Sequence, residues 1–327
     1  MAKISLLLLT AALSSCESTV DLPEPPHTPR VALTYTLTTT PQDSSFRELY
    51  QGRQLYLSNS QRVFDQSELR GRADATVELR DAAGAVVERY RHLPPGAAPG
   101  NGLPGAYRPV LNFQPRPGQT YTLRATLPGL ETAESTLTLP QPAVIDTAAY
   151  VLRAAGPNDY PGSYRGRLTL TVRDDPATAN YYLAYARVLD RQGQPAEWSA
   201  LEPDYESQDQ DVVLGQFQLS SPGGSYGYQL FPFADDGLNG QRLTLATDAR
   251  FYLAYSVQGS VPPEPGYIEV TVSSITAEAY QFYLSRRRYY DSNDNPFAEP
   301  APLASNVRAG YGLFGGATDV TYRIRLF

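Results

Sequence analysis

Apolar and polar residues alternate with a period of two along most of the chain beyond residue 30. Strands that bury one face have this spacing, because successive side chains point to opposite sides of a sheet. The alternation opens over residues 31–37 and closes over residues 320–326, and turn-forming residues separate the runs, as at 81–84 and 128–129. The pattern predicts a mainly β fold, with an N-terminal immunoglobulin-like β-sandwich followed by a second β-rich domain.

The boundary between the two predicted domains falls at residues 140–142, where Pro-Gln-Pro interrupts the alternation. We therefore expect the β-sandwich domain to comprise residues 31–141. The β-rich C-terminal domain is expected to comprise residues 142–327, with longer loops between its strands. One of its strands is predicted at residues 213–219.

One segment departs from the alternation and predicts a short helix near residues 277–290. Thr276 is the expected N-cap, and Glu278 falls in the first turn, where the helix dipole favours negative charge. The arginines at 286–288 are expected in the last turn, where the dipole favours positive charge. The alternative, a phosphate or anion site built from these arginines, is the less favoured interpretation.

Residues 1–15 match the signal peptide of a bacterial lipoprotein. Lys3 supplies the positive charge, and residues 4–13 form an apolar run that is too short to span a bilayer. The Leu-Ser-Ser-Cys string at 13–16 resembles a lipobox, and Cys16 is the only cysteine in the chain. We expect cleavage before Cys16 and attachment of lipid to its thiol. An ordinary signal peptide with an incidental cysteine is the alternative.

Residues 16–30 are expected to form the lipidated Cys16 and a proline-rich tether. Proline favours the extended polyproline II conformation, at about 3.1 Å per residue, which holds a folded body away from the lipid surface. The anchor predicts an outer-membrane location, with the membrane as a partner through the attached lipid. Whether the body faces the periplasm or the outside stays open.

The charge balance excludes one class of partner and weakens several classes of chemistry. The formal net charge is −7, from 27 basic and 34 acidic side chains, whereas a nucleic-acid binder needs a basic face. His27 and His92 are the two histidines, and with the single cysteine they leave little for metal binding or acid–base catalysis. We therefore expect no nucleic-acid partner and no cofactor.

The candidate ligand-binding residues are aromatic. The chain has 24 Tyr, 11 Phe and 1 Trp, and tyrosine suits both sugar and protein surfaces. Trp198 and Tyr205 lie close together in an expected long loop, and they are the candidate ligand-facing pair. A structural role in half-buried strands accounts for most of the other tyrosines.

Two patterns of catalytic or metal-binding residues are present but incomplete. Ser225 stands in a G-x-S-x-G string, yet no histidine follows it, so a hydrolase active site is not expected there. Four carboxylates have a spacing that suits Ca²⁺, although a solvated loop is the favoured interpretation. These are Asp204, Glu206, Asp209 and Asp211. No metal site and no catalytic residue is predicted, while a carboxylate pair that only the fold assembles stays open.

Several strings in a fixed order resemble a family of Bacteroidota lipoproteins known as domain of unknown function 4249. The most specific strings are NPFAEP at 295–300 and GYGLFG at 310–315, preceded by DPATANYY at 175–182. Residues 43–72 carry no string of the family. The family has no established activity, so the resemblance transfers no catalytic residue.

These strings also have a physical interpretation. The glycine-rich stretch at 310–316 predicts a close backbone approach around a packed Phe314. Asn306 is expected to cap backbone groups of a structured loop, and Asp175-Pro176 is expected to begin a turn. Most of these residues are therefore expected to determine the fold rather than to bind a ligand.

The resemblance implies an accessory lipoprotein, because similar proteins are often encoded beside TonB-dependent outer-membrane receptors. We expect a non-enzymatic outer-membrane lipoprotein that binds such a receptor, or the glycan or peptide that the receptor takes up. One alternative is a surface glycan hydrolase that uses a carboxylate pair. A structural envelope lipoprotein without a small ligand is the other alternative.

Overall fold

The computed structural model describes most of the body of the chain. The described residues are 25–40, 49, 52–62, 65, 67, 70–94, 104–154, 162–204, 217–221, 230–236, 240–252, 264–293 and 301–326, without the side chains of 196–200, 202, 203 and 293. Described residues within 29–60 and 69–327 form one compact unit. The others belong to a second unit, in which the Gln61 amide donates a hydrogen bond to the Ser67 carbonyl oxygen at 3.0 Å.

Sixteen strands and one helix are present among the described residues. The strands of the first half are β1 (Val31–Thr38), β2 (Leu55–Asn59), β3 (Thr76–Asp81), β4 (Val86–His92), β5 (Ala106–Pro109), β6 (Thr120–Thr126) and β7 (Ala133–Thr138). Those of the second half are β8 (Val144–Leu152), β9 (Ser163–Arg173), β10 (Tyr181–Asp190), β11 (Pro195–Ala200), β12 (Glu202–Pro203), β13 (Phe233–Ala234), β14 (Arg242–Tyr252), β15 (Pro265–Ile275) and β16 (Gly310–Arg325). Helix α1 spans Ala277–Asn293.

The strands form two sheets, and the long final strand β16 lies in the larger one. The large sheet has the order β11-β10-β15-β16-β1-β2-β5-β4-β3-β6-β7, with β13 beside β10, and the small sheet has the order β12-β14-β9-β8. Residues 310–317 of β16 pair in parallel with β1. Residues 317–325 of the same strand pair antiparallel with β15. Strand β16 therefore connects the strands of the first half to those of the second half.

The first hydrophobic core lies on the inner face of β1–β7. Leu57 and Leu79 are among its fully buried side chains, and Phe314 of β16 joins it without exposed surface. The sheet curls so that β7 returns to the segment before β16, because the backbones of Glu134 and Arg308 exchange hydrogen bonds of 3.1 and 2.8 Å. The curl encloses one face of these strands around a common core.

The second core lies between the small sheet and the strands β10 and β15. Leu170 of β9 and Phe251 of β14 meet Val270 of β15 there. Strand β10 is buried on both faces, since Ala184 faces the second core and Tyr185 faces the opposite side of the sheet. This part of the protein has the layered arrangement of a β-sandwich.

Helix α1 covers the face of the large sheet opposite the second core, and it begins as predicted. Thr276 Oγ1 accepts a hydrogen bond from the Ala279 N–H at 3.4 Å, which caps the first turn. The side chains that it buries are Ala279, Phe282 and Tyr283. The helix continues to Asn293, so the prediction that the arginines at 286–288 occupy the last turn is wrong. The helix extends beyond them because no glycine or proline interrupts the sequence before Pro296.

The predicted mainly β fold is confirmed, with a large multi-stranded sheet consistent with a β-sandwich and one short helix among the described residues. The prediction of a strand at 213–219 is wrong for residues 217–219, the part of it that the structure describes. Phe217 and Leu219 lie in no strand, yet both are buried in the second core, since alternating apolar residues can also be buried by irregular backbone. The domain division between residues 141 and 142 stays a prediction. Within the described part of the chain, no helix has the length and apolarity needed to cross a bilayer.

Candidate functional site

A cavity of about 330 Å³ opens beside the first core and is the strongest candidate for a ligand-binding site. Strands β1 to β5, residues 53 and 54 before β2 and residues 112–115 after β5 line it. Its apolar floor contains Leu37, Leu55 and Leu79, which are buried in the first core. Small-ligand sites are typically concave, apolar and a few hundred cubic ångströms in volume. We name this feature the aromatic cavity.

Rigid aromatic side chains form the walls of the aromatic cavity. The hydroxyls of Tyr35 and Tyr90 are hydrogen-bonded to each other at 2.8 Å. The Tyr35 ring stacks on Phe314 with the ring centroids 5.8 Å apart, and Phe113 meets the edge of Tyr121 at 5.7 Å. Each ring is fixed by a neighbour, so the cavity is preformed. Binding a ligand therefore costs little conformational entropy of these side chains.

A buried carboxylate holds the segment that forms one rim of the aromatic cavity. Glu88 is 2 % exposed. Its Oε1 accepts hydrogen bonds from the backbone N–H groups of Arg89, Val110 and Leu111 at 2.8, 3.0 and 2.6 Å. Its Oε2 accepts a hydrogen bond from the Phe113 N–H at 2.8 Å. Glu88 therefore fixes the rim segment, and both of its oxygens are occupied by the fold.

A buried ion pair borders the aromatic cavity through Arg53. The Arg53 guanidinium donates to both carboxylate oxygens of Asp319, with Nη1–Oδ2 at 2.6 Å and Nη2–Oδ1 at 2.9 Å. Only 5 % of the Arg53 side chain and 8 % of the Asp319 side chain are exposed. Arg53 also donates to Ser273 Oγ at 2.8 Å and to Thr38 Oγ1 at 3.0 Å. The pair thus ties the segment before β2 to β1, β15 and β16.

Both members of this pair are charged near neutral pH. Burial by itself would lower the pKa of Arg53 and raise the pKa of Asp319, because it disfavours the charged forms. Their mutual attraction and hydrogen bonds outweigh burial, so the pKa of Arg53 lies above its ordinary value and the pKa of Asp319 lies below. The pair is therefore internally neutral and adds no net charge to the cavity.

A second group of buried polar side chains lies where the loop after β9 meets β13. Asp174 and Asp235 are each 4 % exposed. The Asn180 side-chain amide donates to Asp174 Oδ1 at 2.9 Å, and the Asn180 backbone N–H donates to Asp235 Oδ2 at 3.0 Å. Tyr182 donates its hydroxyl to Asp174 Oδ1 at 3.1 Å, and the Gly240 N–H donates to Asp174 Oδ2 at 2.7 Å. These bonds link residues of the family string at 175–182 to Asp174, Asp235 and Gly240.

The pKa of Asp235 is raised, first because burial disfavours its charged form and further because the Asp174 carboxylate lies close by. A group whose pKa is raised on folding stabilises the folded state at pH values below its unfolded pKa, and that contribution is lost as the pH rises through the folded pKa. For Asp235 the unfolded pKa is 3.8. We therefore expect Asp235→Asn to be more stable than the unsubstituted protein at pH 7 and to lose that advantage at pH 3. Urea unfolding at the two pH values measures the difference.

The neighbouring exposed residue supplies the control for this prediction. Asp236 is exposed, so Asp236→Asn changes the net charge equally without relieving a buried carboxylate. Its free energy of unfolding should stay within about 0.5 kcal/mol of the unsubstituted value at both pH values. If Asp235→Asn is destabilised at pH 7, its carboxylate is favoured by the fold, and the direction of the shift given above is wrong.

A second, more open cavity of about 510 Å³ lies where residues 136–141, the loop 175–181 and the start of α1 come together. The Tyr181 ring borders it and lies 4.7 Å from the ring of Tyr280. Asp175 also lines this cavity, and its Oδ1 accepts the Ala177 N–H at 3.0 Å, which confirms the predicted turn. The carboxylate of Asp175 is thus used in shaping the loop.

The predicted site residues are largely outside these cavities or outside the described residues. Cys16, Tyr205 and Ser225 lie outside the described residues, as do Glu206, Asp209 and Asp211. Trp198 lies on β11, an outer strand of the large sheet, and its side chain lies outside the described part of the chain. Asp204 is buried, and its Oδ2 lies 3.8 Å from Arg165 Nε. Among the described residues, no three His, Cys, Asp or Glu side chains gather as metal ligands.

The glycine-rich family string has the structural role that the sequence predicts. Phe314 is fully buried, and its backbone N–H and carbonyl are hydrogen-bonded to the Asn306 side chain at 3.0 and 2.8 Å. Gly312 has a positive φ of 110°, and a Cβ atom on it would lie 1.8 Å from the Leu33 carbonyl oxygen. Both the predicted backbone approach and the predicted capping by Asn306 are confirmed.

The fold and the cavity define a mainly β protein with a preformed aromatic cavity beside one of two β cores. The model of the family described as Domain of unknown function (DUF4249) matches residues 43–323, and the chain belongs to that family. The match includes the stretch 43–72, in which the sequence analysis found no family string. No curated protein shows significant similarity to the chain.

Two solved structures show weak likeness to this chain. One is a crystal structure of a Salmonella alpha-2-macroglobulin mutant, which is 12 % identical to this chain. The match covers 95 % of this chain and 16 % of that chain, with a TM-score of 0.20. The other is the B domain of a biofilm associated protein, which is 8 % identical to this chain. The match covers 89 % of this chain and 85 % of that chain, with a TM-score of 0.16. The chain spans 16 % of the length of the first, and at these TM-scores neither comparison bears on fold or function.

Sequence reasoning missed the residues that build the aromatic cavity. Arg53 lies in the stretch without a family string, and its partner Asp319 is 266 positions away. Glu88 and Tyr90 occur in a strand that the alternation predicts correctly, but alternation does not show what a buried carboxylate binds. The one available signal was Glu88 itself, a charged residue in phase with the buried positions of β4.

Proposed function

We propose that the protein is a non-enzymatic outer-membrane lipoprotein, anchored through Cys16, that binds a small ligand for a TonB-dependent uptake system. The lipobox at 13–16 and the proline-rich segment after it support an anchored and tethered body. The preformed aromatic cavity supports ligand binding, and it is the observation on which the proposal mainly rests. Membership of the family adds no activity of its own.

The chemistry of the aromatic cavity favours binding over catalysis. Its described lining contains one carboxylate, Glu88, whose two oxygens both accept backbone N–H groups. Glycoside hydrolysis requires two carboxyl groups separated by about 5–10 Å, one of which must exchange protons with the substrate. The buried pair Asp174 and Asp235 shares hydrogen-bond partners and lies outside the lining of both cavities. Neither arrangement suits the hydrolase alternative.

Affinity purification tests the proposed anchorage and partner together. We expect the tagged full-length protein, purified from detergent-solubilised outer membranes, to carry a TonB-dependent receptor in stoichiometric amount. The Cys16→Ala variant cannot accept lipid, so it should leave the membrane fraction and lose the receptor. The same tag on a lipoprotein of unrelated fold serves as the background control.

Two outcomes would contradict the proposal. A receptor-free eluate from the unsubstituted protein would overturn the accessory role. Retention of Cys16→Ala in the membrane fraction would overturn the lipid anchor. Deletion of the gene with unchanged growth on complex nutrients would instead favour the structural envelope protein.

A further inference from the structure

We infer that the aromatic cavity takes a neutral saccharide. The inference rests on the proposed ligand-binding function and adds the chemical class of the ligand. Three properties of the lining carry it: compensated charge, uncommitted side-chain amides and fixed aromatic faces.

The charged groups of the aromatic cavity are compensated within the protein. Arg53 is neutralised by the bidentate pair with Asp319, and Glu88 receives four backbone hydrogen bonds. An anionic ligand would have to leave water without an opposite charge to meet it, which is strongly unfavourable, and a cationic ligand would meet only Glu88, whose two oxygens already accept backbone N–H groups. The cavity therefore favours a ligand without formal charge.

The polar groups that remain for a ligand are side-chain amides. The hydroxyls of Thr36, Tyr35 and Tyr90 are already hydrogen-bonded to protein groups. Within the described part of the chain, the amides of Gln54, Asn112 and Gln114 line the cavity with no hydrogen bond of their own.

An amide both donates and accepts, and so does a hydroxyl. Three amides around one cavity therefore match a ligand that carries several hydroxyl groups. Asn112 adopts a positive φ of 54°, an uncommon conformation outside glycine that the Glu88 hydrogen bonds on both sides of it stabilise. The fold thus holds one of the amides at the rim in a fixed position.

The aromatic walls supply flat apolar surface between these amides. Tyr35 and Tyr90 are fixed to each other, Tyr35 also stacks on Phe314, and Phe113 is fixed by Tyr121. A sugar ring has an apolar C–H face with hydroxyls at its edge. It therefore fits an aromatic face bordered by amides better than a purely apolar or purely polar ligand does.

A peptide ligand fits this site less well, although an amide backbone also donates and accepts. Extended peptides usually bind by adding to a free strand edge. The strands β1, β2, β4 and β5 each pair with two neighbours in the large sheet, but the pairing of β1 with β2 ends at Thr34, before the residues of β1 that line the cavity. Beyond that point the Thr36 N–H already donates to the Arg53 carbonyl oxygen at 3.1 Å, so little of this edge remains for pairing with a peptide.

Calorimetric titration of the full-length lipoprotein in detergent tests the inference. The probes are neutral malto-, cello-, xylo- and manno-oligosaccharides, with oligogalacturonates and short peptides as the competing classes. Gln114→Trp places a large side chain at the rim of the cavity and should abolish saccharide binding. Gln54→Leu removes one amide without blocking the cavity and should weaken binding at least about tenfold.

Gln119→Trp is the matched control, because Gln119 is exposed on the same segment of chain and does not line the cavity. Its saccharide affinity should equal that of the unsubstituted protein. Circular dichroism and thermal unfolding of each variant establish that a loss of binding is not a loss of fold.

The outcomes separate the ligand class from the proposed function. Binding of a neutral saccharide that Gln114→Trp abolishes and Gln119→Trp retains supports the inference. Binding of only oligogalacturonates or peptides overturns the saccharide class and leaves the binding function in place. Saccharide binding that survives Gln114→Trp overturns the cavity as the site. No binding to any probe overturns the inference, and receptor co-purification then decides the proposed function separately.

Discussion

Arg53→Met is expected to lower the free energy of unfolding by about 3–5 kcal/mol. Methionine has a similar length and fills the space, so the main effect is electrostatic. Asp319 would keep a negative charge at 8 % side-chain exposure without the guanidinium that now binds both of its oxygens. A buried charge that loses its partner must be dehydrated without compensation, or be protonated, because burial raises the pKa of Asp319 once the guanidinium is removed.

Loss of the Arg53–Asp319 ion pair is expected to affect several strands at once, because the pair lies where they meet. Ser273 donates to Asp319 Oδ1, and Thr40 donates to Asp319 Oδ2, so the carboxylate binds groups from β15 and from the segment just after β1. Removal of Arg53 perturbs the junction at which β1, β15 and β16 meet. Urea unfolding, followed by circular dichroism, measures the change as a shift of the midpoint.

An exposed ion pair provides the control for Arg53→Met. Arg308 donates to Glu134 Oε1 at 2.7 Å, but 78 % of its side chain is exposed. Arg308→Met should therefore cost less than about 1 kcal/mol, because water screens the pair. The double variant Arg53→Met/Asp319→Leu should be more stable than either single variant, since neither charge is then left alone. A loss below 1 kcal/mol in Arg53→Met would show that water reaches Asp319.

The ion pair also predicts how stability depends on pH. The pKa of Asp319 is lowered on folding, so its contribution is complete above the unfolded value of 3.8 and is lost as the pH falls through the lower folded pKa. The difference in unfolding free energy between the unsubstituted protein and Arg53→Met should therefore shrink on acidification. The pH dependence that Asp319 gives to the free energy of unfolding is thus opposite in direction to that of Asp235, whose pKa is raised.

Gly312→Ala is expected to lower the free energy of unfolding by about 3 kcal/mol or more. The residue has a φ of 110°, which side chains rarely tolerate, and a Cβ atom would lie 1.8 Å from the Leu33 carbonyl oxygen. That oxygen belongs to the backbone of β1, so no rotamer change relieves the overlap. The parallel pairing of β1 with β16 must shift, and the pairing of Leu33 with Gly312 is lost first.

Gly84→Ala is the control that separates the overlap of a Cβ atom with its neighbours from the cost of a positive φ. Gly84 has a φ of 83°, similarly positive, but no atom lies within 4 Å of a Cβ built on it. Its substitution should cost only about 1–2 kcal/mol, the penalty for a left-handed alanine. Equal losses in the two variants would contradict the predicted overlap with Leu33. Urea unfolding of both variants under one set of conditions makes the comparison.

The sequence predicted local features well because their causes are local. Period-two alternation indicates which residues face a core, and it gave the strand at 86–92 with the bounds that the structure has. The N-cap at Thr276 depends on a side chain and an N–H three residues away. The predicted position of the arginines at the helix end is wrong for a related reason, since favourable charge does not end a helix where no breaker residue follows.

The sequence by itself determined the mainly β class, the family and the structural role of the glycines around Phe314, because alternation, ordered strings and glycine content are properties of short segments. Only the tertiary structure decided the aromatic cavity and its chemistry. Strand order sets which distant residues meet, and it brings Arg53 against Asp319 and Tyr35 against Tyr90. Whether a charged or polar side chain is free to bind a ligand depends on partners that its own segment does not contain.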